Sequence, residues 1–298
     1  MLSGSRALTL PYDGYQATLC FPGRSMGSRL QATSVNSNKL INKYLSYLQS
    51  GKHKKIFGEL LHLERMEQDL EDGLFLFSTI PSGYGLGSSG ALVAAIFDRY
   101  AREPAGEVPG PVKLLTMKRF FGKMEGFFHG SSSGIDPLSI WLGRPILHKA
   151  RERLSMVEIP CTSQPGQAGF FLVNTHIPRK TQEQVAVFRN KMTDPLFRRR
   201  FSTEYIPTND DCIRACLGAD SGLPLHLGCL SHLQLELFRE MIPRNFLEVW
   251  IEGLESGHYI LKLCGAGGGG FLLGYTLDRQ EADTQLQKHH VESIPLMG

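Results

Sequence analysis

The chain has 298 residues, of which 42% are hydrophobic and 20% are charged, and its formal net charge is +3. This composition is typical of a globular protein and excludes intrinsic disorder. The charge balance is too mild to indicate nucleic-acid binding, and no apolar stretch reaches the roughly 18 residues of a membrane span. The length allows two domains of about 150 residues each.

Cysteine usage and the N-terminus both predict a cytoplasmic protein. Six cysteines are dispersed through the chain, which favours free, reduced thiols over a disulfide framework. Cys212 and Cys216 have helical spacing but no neighbouring ligands, so they do not indicate a zinc site. The first residues lack both a charged segment and a long apolar segment, and we therefore expect no signal peptide.

Elements of the first half are predicted from apolar spacing. Residues 6–21 predict two short strands joined by a turn at Asp13-Gly14, followed by a Gly/Ser-rich loop. Ser37 is a candidate N-cap for a helix that ends near Gly51. Further along we expect helices over 56–70, 89–102 and 113–128, a buried strand over 73–80, and a polar segment over 129–143.

The second half begins with strands and becomes mostly helical. Three strands are predicted up to about Thr175, and four helical segments follow Arg179. Strands at 259–264 and 271–276 flank a run of glycines, and the last 20 residues predict a helix with a short edge strand. The mixture predicts an α+β protein, and the change in pattern near residue 150 suggests an N-terminal domain over 1–150 and a C-terminal domain over 151–298.

One glycine-rich stretch, PSGYGLGSSGAL, is typical of a phosphate-binding loop. Gly83, Gly85 and Gly87 precede Ser88 and Ser89 at the start of an apolar helix. Unpartnered amides and the helix dipole favour an anion at such a terminus. The stretch lacks the Gly-Lys-Ser/Thr ending of a Walker A loop and the third glycine of a dinucleotide fingerprint. The alternative is a tight turn whose serines only cap the helix.

A second glycine run, GAGGGG at 265–270, lies between two predicted strands. Consecutive glycines are tolerated where another backbone or a ligand approaches closely. A strand rather than a helix follows, which argues against NAD binding. The alternative is a plain hairpin turn.

Two carboxylates flank the third polar segment. Glu125 ends a predicted helix, and Asp136 follows Ser133-Gly134. Phosphoryl transfer needs one carboxylate for magnesium and another to orient or deprotonate the acceptor hydroxyl. The alternatives are a solvated Glu125 and an Asp136 that caps a turn. His129 could bind substrate or pack beneath the loop.

Together these segments resemble a known family. PSGYGLGSSGA is similar to the second motif of the GHMP kinases, and KLCGAGGGGF is similar to their third. EGFFHGSSSGID and VNTHIPRKT resemble the mevalonate kinase branch. The matches run from residue 81 to residue 275 in the family's order. The resemblance implies two domains, each with a sheet packed by helices, and an active site in the cleft between them.

The resemblance also implies residue roles and cofactors. Asp136 would be the catalytic carboxylate, and Ser89 and Glu125 would bind Mg²⁺ on the phosphates of ATP. Thr181 would lie beside Asp136. The nucleotide would contact Gly83, Gly85, Leu86, Gly87, Ser88, Ser89 and Gly90, and the phosphate or substrate would contact His129, Thr181, Gly265, Ala266 and Gly267.

The expected function is ATP-dependent phosphorylation of a small-molecule hydroxyl, with mevalonate as the first candidate. The alternatives are phosphomevalonate kinase, a sugar kinase, or a catalytically impaired nucleotide-binding protein. The last is motivated by the family's first motif, of which only the tail is visible as LSGSRALTLP. We therefore expect the lysine that would pair with Asp136 to be missing. No nucleic-acid or membrane partner is expected, and a homodimer is allowed.

Overall fold

The computed structural model describes residues 6–23, 26–51, 53–102, 110–149, 153–160 and 168–296. Its first part folds, in chain order, into β1 (Ala7–Thr9), β2 (Ala17–Cys20), α1 (Ser28–Leu48), α2 (His53–Leu60), α3 (Leu63–Glu71), β3 (Phe75–Ser78), α4 (Ser88–Tyr100), α5 (Pro111–His129), α6 (Ile135–Leu142), β4 (Ile146–Lys149) and β5 (Arg153–Met156).

The second part is richer in helix. It contains β6 (Gly169–Asn174), α7 (Thr181–Lys191), α8 (Pro195–Arg200), a π-helical turn (Phe201–Tyr205), α9 (Ile206–Cys216), α10 (Leu223–Leu237), two short 3₁₀ turns, α11 (Leu247–Ser256), β7 (Ile260–Leu263), β8 (Phe271–Thr276), α12 (Arg279–Lys288) and β9 (Ser293–Pro295).

The strands of the first part form two small antiparallel sheets. One has the order β1-β4-β5, and the other pairs β2 with β3. β1 and β2 lie on either side of the turn predicted at Asp13-Gly14, as expected, but they belong to different sheets and do not pair with each other. Each strand instead pairs with a strand much later in the chain, with Ala7 opposite His148 and Ala17 opposite Ser78.

Helix α1 differs most from its prediction. It begins at Ser28, well before the proposed cap at Ser37, and includes much of the expected loop. Inside the helix, the Ser37 hydroxyl accepts a hydrogen bond from the Leu76 amide at 2.8 Å and donates to the Leu76 carbonyl at 3.1 Å. This residue therefore satisfies backbone groups of β3. The helix predicted over 56–70 is broken at 61–62 into α2 and α3, and the polar segment 129–143 contains α6.

The two larger of three hydrophobic clusters among the described residues are built from residues before 157 and after 168 in the sequence. The first includes residues from Ile41 to Leu154, and the second includes residues from Phe171 to Leu286. The proposed domain boundary at residue 150 stays a prediction, and β5 beyond it pairs with β4. Among the described residues, none of the helices has the length and apolar character needed to cross a membrane.

The four-stranded sheet of the second part positions the glycine run. Its antiparallel strands have the order β7-β8-β6-β9, and residues 265–270 connect β7 to β8. Asn174, the last residue of β6, pairs with Phe271, the first residue of β8. The chain that leaves β6 towards α7 therefore starts directly beside the glycine run.

Candidate active site

The segment from Gly83 to Gly90, here called the helix loop, ends in the N-terminus of α4. Gly83, Gly85 and Gly87 have positive φ angles of 81°, 76° and 71°, a conformation that suits glycine. No side chain caps the helix, and the Ala91 amide donates to the Gly87 carbonyl at 2.8 Å. The serines thus do not act as the simple caps of the alternative interpretation. The first-turn amides before Ala91 have no intrahelical acceptor and can bind an anion.

Ser89 joins this helix start to the end of α5. Its hydroxyl donates a hydrogen bond of 2.8 Å to Glu125 Oε1, and its oxygen lies 3.1 Å from His129 Nε2. Glu125 is buried, and the Ser132 hydroxyl donates to its second oxygen, Oε2. The structure therefore brings together three of the sequence-predicted residues, namely Ser89, Glu125 and His129.

Asp136 lies in the first turn of α6, against the start of α4. A Cβ atom placed on Gly90 would come within 3.2 Å of the Asp136 Cβ and 3.0 Å of the Pro137 nitrogen. A Cβ on Gly87 would lie 3.7 Å from the Asp136 Cβ. Glycine at these positions allows the two helix starts to approach each other, which places the Asp136 carboxyl group close to the helix loop.

Competing electrostatic effects act on Asp136. The residue as a whole is exposed, but its carboxyl group is crowded by protein atoms. This desolvation, followed by the negative charge of Glu125, raises the pKa of Asp136 above its usual value. The nearby positive charges of Arg179 and, to a smaller extent, His129 act in the opposite direction. A carboxylate with a raised pKa is better suited to accept a proton from a hydroxyl.

The segment 175–179 connects the helix loop to the glycine run 265–270, here called the strand turn. The Arg179 amide donates to the Gly83 carbonyl at 2.7 Å. The Thr175 amide and hydroxyl both donate to the Gly270 carbonyl, at 2.9 and 2.8 Å, and the Gly270 amide donates to the Ile177 carbonyl at 2.7 Å. These backbone bonds hold the two glycine-rich segments on either side of one connector.

The Arg179 side chain extends between the two segments. Its Nη1 atom donates to the Cys264 carbonyl at 3.2 Å. A Cβ on Gly85 would lie 2.6 Å from its Cζ, and a Cβ on Gly265 would lie 2.9 Å from its Nη1. Both glycines are therefore needed for the guanidinium to fit. Among the described residues, Arg179 forms no ion pair and no other side-chain hydrogen bond, so further donors remain for an anionic ligand.

With this geometry established, comparison with known proteins identifies the fold. No family model matches the chain. Its sequence is 28% identical to mevalonate kinase from Bos taurus over 242 residues, a match that covers 70% of this chain and 55% of the relative. The chain thus spans about half the length of the curated relative that it matches.

Solved structures match over nearly the whole chain. Mevalonate kinase from L. major in complex with R-mevalonate has a TM-score of 0.63 at 15% identity, covering 99% of this chain and 91% of that one. Phosphomevalonate kinase from Streptococcus pneumoniae with phosphomevalonate and AMPPNP has a TM-score of 0.58 at 13% identity, with 97% and 92% coverage. Mevalonate kinase from Methanococcus jannaschii has a TM-score of 0.59 at 16% identity, with 99% and 92% coverage. The chain has the GHMP kinase fold.

Within this GHMP kinase fold, the remaining site assignments stay predictions. Thr181 is the first residue of α7, and among the described residues no hydrogen bond joins it to Asp136. Gly265 is exposed beside Arg179, Ala266 is half-buried, and Gly267 is buried against the Met241 carbonyl. Leu86 is half-buried between the glycines of the helix loop.

Sequence reasoning missed two side chains of this candidate site. Arg179 belongs to the segment VNTHIPRKT, from which the family resemblance implies a role for Thr181 alone. The signal that could have found Arg179 is the pair of basic residues Arg179-Lys180 directly before a helix, in a chain with two glycine-rich segments. Ser132 was overlooked because it is the middle member of three consecutive serines, and sequence alone does not distinguish them.

Proposed function

We propose that this chain binds ATP with Mg²⁺ and transfers the terminal phosphoryl group to the hydroxyl of a small molecule, with mevalonate as the first candidate. The observation that carries the proposal is the approach of two helix starts. One has unpartnered amides and Ser89 bonded to the buried Glu125, and the other has Asp136. Free amides, a pair of oxygen donors that would bind the metal and a carboxylate that would accept the proton are the groups that phosphoryl transfer requires, so their proximity supports the proposal.

The residues present fit a magnesium ion. Glu125 and Ser89 supply a carboxylate and a hydroxyl oxygen 2.8 Å apart, and hard oxygen donors are the ligands that Mg²⁺ prefers. Within the described part of the chain, no group of three or more His, Cys, Asp or Glu side chains could hold a metal ion by itself. This also fits magnesium, which is commonly bound by one or two carboxylates together with phosphate oxygens and water. When bound, the ion would neutralise charge on the phosphates.

The chain's own groups would position the reactants. Amides at the start of α4 would bind the phosphates, since the glycines of the helix loop leave room for them. Asp136 would accept a hydrogen bond from the acceptor hydroxyl and take its proton as the phosphoryl group is transferred. Its raised pKa favours that proton transfer, provided that the carboxyl group is ionised when the substrate binds.

Arg179 would supply a positive charge at the transferring phosphate. Its guanidinium lies between Gly85 of the helix loop and Gly265 of the strand turn, and its charge acts on Asp136. This placement suits a cation that stabilises negative charge as it develops. Its positive charge also acts on Asp136. The family resemblance implies a lysine as the positively charged partner of Asp136.

The acceptor is inferred from similarity. The bovine protein to which the chain is similar in sequence is a mevalonate kinase, and the L. major structure with the same fold contains R-mevalonate. A phosphomevalonate kinase with bound phosphomevalonate also shares the fold, so phosphomevalonate is the second candidate. Cytoplasmic localisation and a homodimeric state also stay predictions.

A coupled assay of ADP release tests the proposal. Purified protein with ATP and Mg²⁺ would be offered mevalonate, phosphomevalonate and a panel of sugars, with Asp136→Asn as the control. We expect turnover with mevalonate that the variant loses. ATP binding without turnover of any acceptor would instead support the nucleotide-binding protein considered above.

A further inference from the structure

Glu125 is held by two serine hydroxyls, and only one of them belongs to the helix loop. The residue is 4% exposed, so both carboxylate oxygens need partners within the protein. Ser89 donates to Oε1 from the start of α4, and Ser132 donates to Oε2 from the segment between α5 and α6. Ser132 therefore fixes the rotation of the carboxylate from the side away from Ser89.

The Ser132 hydroxyl also binds the residue from which α6 begins. Its oxygen accepts a hydrogen bond of 3.1 Å from the Gly134 amide. Gly134 is the N-cap of α6 with a φ of 72°, and a Cβ there would lie 2.0 Å from the Lys118 carbonyl oxygen. The backbone at Gly134 therefore packs against α5 so closely that a side chain would not fit. Ser132 links this backbone to Glu125 through its two hydrogen bonds.

We propose that Ser132 is a positioning residue that couples the metal-binding carboxylate of Glu125 to the helix that presents Asp136. The inference rests on the proposed function, because it assigns Ser132 a role toward the Mg²⁺ that Glu125 would bind. Through one hydroxyl, Ser132 holds Glu125 in the rotation that directs Oε1 toward Ser89 and sets the start of α6 relative to it. Both carboxylates of the site then move as one unit.

The neighbouring serines do not share this role. Ser133 Oγ accepts from the Ile135 amide at 3.3 Å, which is a local turn contact. Ser131 is exposed, and within the described part of the chain its side chain makes no hydrogen bond. The three consecutive serines therefore provide a matched set for mutagenesis, with Ser131→Ala as the control for Ser132→Ala.

Metal binding in the nucleotide complex tests this role without relying on catalysis. Mn²⁺ would replace Mg²⁺, and its binding to the protein with AMPPNP would be measured by electron paramagnetic resonance. Binding of AMPPNP without metal would be followed in parallel by calorimetry. Residues that orient metal ligands typically contribute about 10–100-fold to metal affinity. We expect Ser132→Ala to weaken Mn²⁺ binding by about 10-fold while metal-free AMPPNP binding stays within about two-fold of wild type.

The control variants separate this role from general destabilisation. Ser132→Thr keeps the hydroxyl and should restore most of the Mn²⁺ affinity, whereas Ser131→Ala should match wild type. In kinetics, Ser132→Ala should lower kcat more than it changes KM for the acceptor. Wild-type Mn²⁺ affinity in Ser132→Ala would overturn the inference and leave the proposed function intact. A Ser132→Ala variant with a lowered melting temperature but an unchanged Mn²⁺ affinity would also overturn the inference. Failure of the wild-type protein to bind AMPPNP would instead overturn both.

Discussion

The helix loop and the strand turn are both rich in glycine, yet their glycines are needed for different reasons. Both segments contain several residues with positive φ, including Gly85 at 76° and Gly270 at 72°. In the helix loop, a Cβ on Gly83 would meet only Pro178 at 3.8 Å, and a Cβ on Gly85 would meet the end of the Arg179 side chain. In the strand turn, the neighbours are mostly the protein's own backbone.

Backbone contacts dominate the strand turn beyond its first residues. A Cβ would lie 2.9 Å from the Met241 carbonyl oxygen at Gly267, 2.5 Å from the Ile177 carbonyl oxygen at Gly269, and 2.2 Å from the Tyr84 carbonyl oxygen at Gly270. Gly268 is crowded by the Gln184 side chain. A run of glycines therefore indicates close approach without telling whether a ligand or another part of the chain approaches. Gly83 and Gly85 of the helix loop have no backbone atom against their Cβ positions, whereas Gly87 and Gly90 lie against α6 and most glycines of the strand turn lie against backbone carbonyls.

The largest expected effect is a loss of kcat on replacing Asp136, whose helix packs against Gly87 and Gly90 of the helix loop. Asp136→Asn should lower kcat by about 10²–10⁴-fold, since proton transfer by a positioned side chain contributes about that much. Because folding raises the pKa of Asp136, its ionised form destabilises the folded state once pH rises through that pKa. The neutral variant should therefore melt at a higher temperature than wild type at pH 7, as scanning calorimetry would show. A variant with wild-type turnover would contradict the assignment.

A glycine of the strand turn should affect stability rather than chemistry. Gly270→Ala should lower the free energy of unfolding for two reasons. The left-handed conformation costs about 1–2 kcal/mol, and overpacking against the Tyr84 carbonyl costs about 1–3 kcal/mol. Gly257→Ala is the matched control, with the same φ of 72° and nothing within 4 Å of its Cβ. Denaturant unfolding should show the greater loss for Gly270→Ala. Equal losses in the two variants would show that backbone crowding is not the reason for glycine at 270.

A glycine of the helix loop should affect ligand binding more than folding. Gly85→Ala would displace the Arg179 guanidinium, which lies 2.6 Å from the added Cβ at its Cζ. We expect the free energy of unfolding to fall by only about 1–2 kcal/mol, the cost of the left-handed conformation. The affinity for Mg·AMPPNP, measured by calorimetry, should be weaker. Gly83→Ala, where the added Cβ has an ordinary contact, should show similar strain and near-normal affinity. The same affinity in both variants would mean that Arg179 does not act on the nucleotide.

The smallest expected effect is a change in pH dependence. Arg179 lowers the pKa of Asp136 against the larger effects of desolvation and Glu125, so Arg179→Gln should raise that pKa further. Asp136 must be ionised to accept a proton, and activity is lost as pH falls through its pKa. The acidic limb of the kcat/KM profile should therefore move to higher pH in Arg179→Gln and remain nearer wild type in Arg179→Lys. An acidic limb at the wild-type pH in Arg179→Gln would exclude this coupling.

Short-range signals explain what the sequence could predict. The helix loop and the strand turn follow from local glycine patterns, and α4 and α5 follow from apolar spacing. Glu125 and Asp136 were found because a phosphoryl-transfer site needs two carboxylates and both flank one polar segment. These features depend on neighbours in the sequence, and α4 and α5 start within two residues of the helices predicted over 89–102 and 113–128.

Long-range contacts explain what the sequence could not predict. The pairings of β1 with β4 and of β2 with β3 join residues far apart in the chain, so local pattern predicted these strands without predicting their partners. Ser37 has the side chain of a helix cap, yet it binds the edge of β3 from inside α1. The position of Arg179 depends on the pairing of β6 with β8, in which Asn174 lies opposite Phe271. The chain that leaves β6 then carries the Arg179 side chain between Gly85 and Gly265.

The central claim, that nucleotide phosphates bind at the start of α4, can be tested on the backbone amides themselves. Amide chemical shifts would be measured by NMR on ¹⁵N-labelled protein during titration with Mg·AMPPNP. The amides of Ser88, Ser89 and Gly90 should shift most, and those of Gly267 to Gly270 should change little, because the latter pack against the protein's own backbone. Large shifts in the strand turn with none at Ser88 to Gly90 would contradict the account.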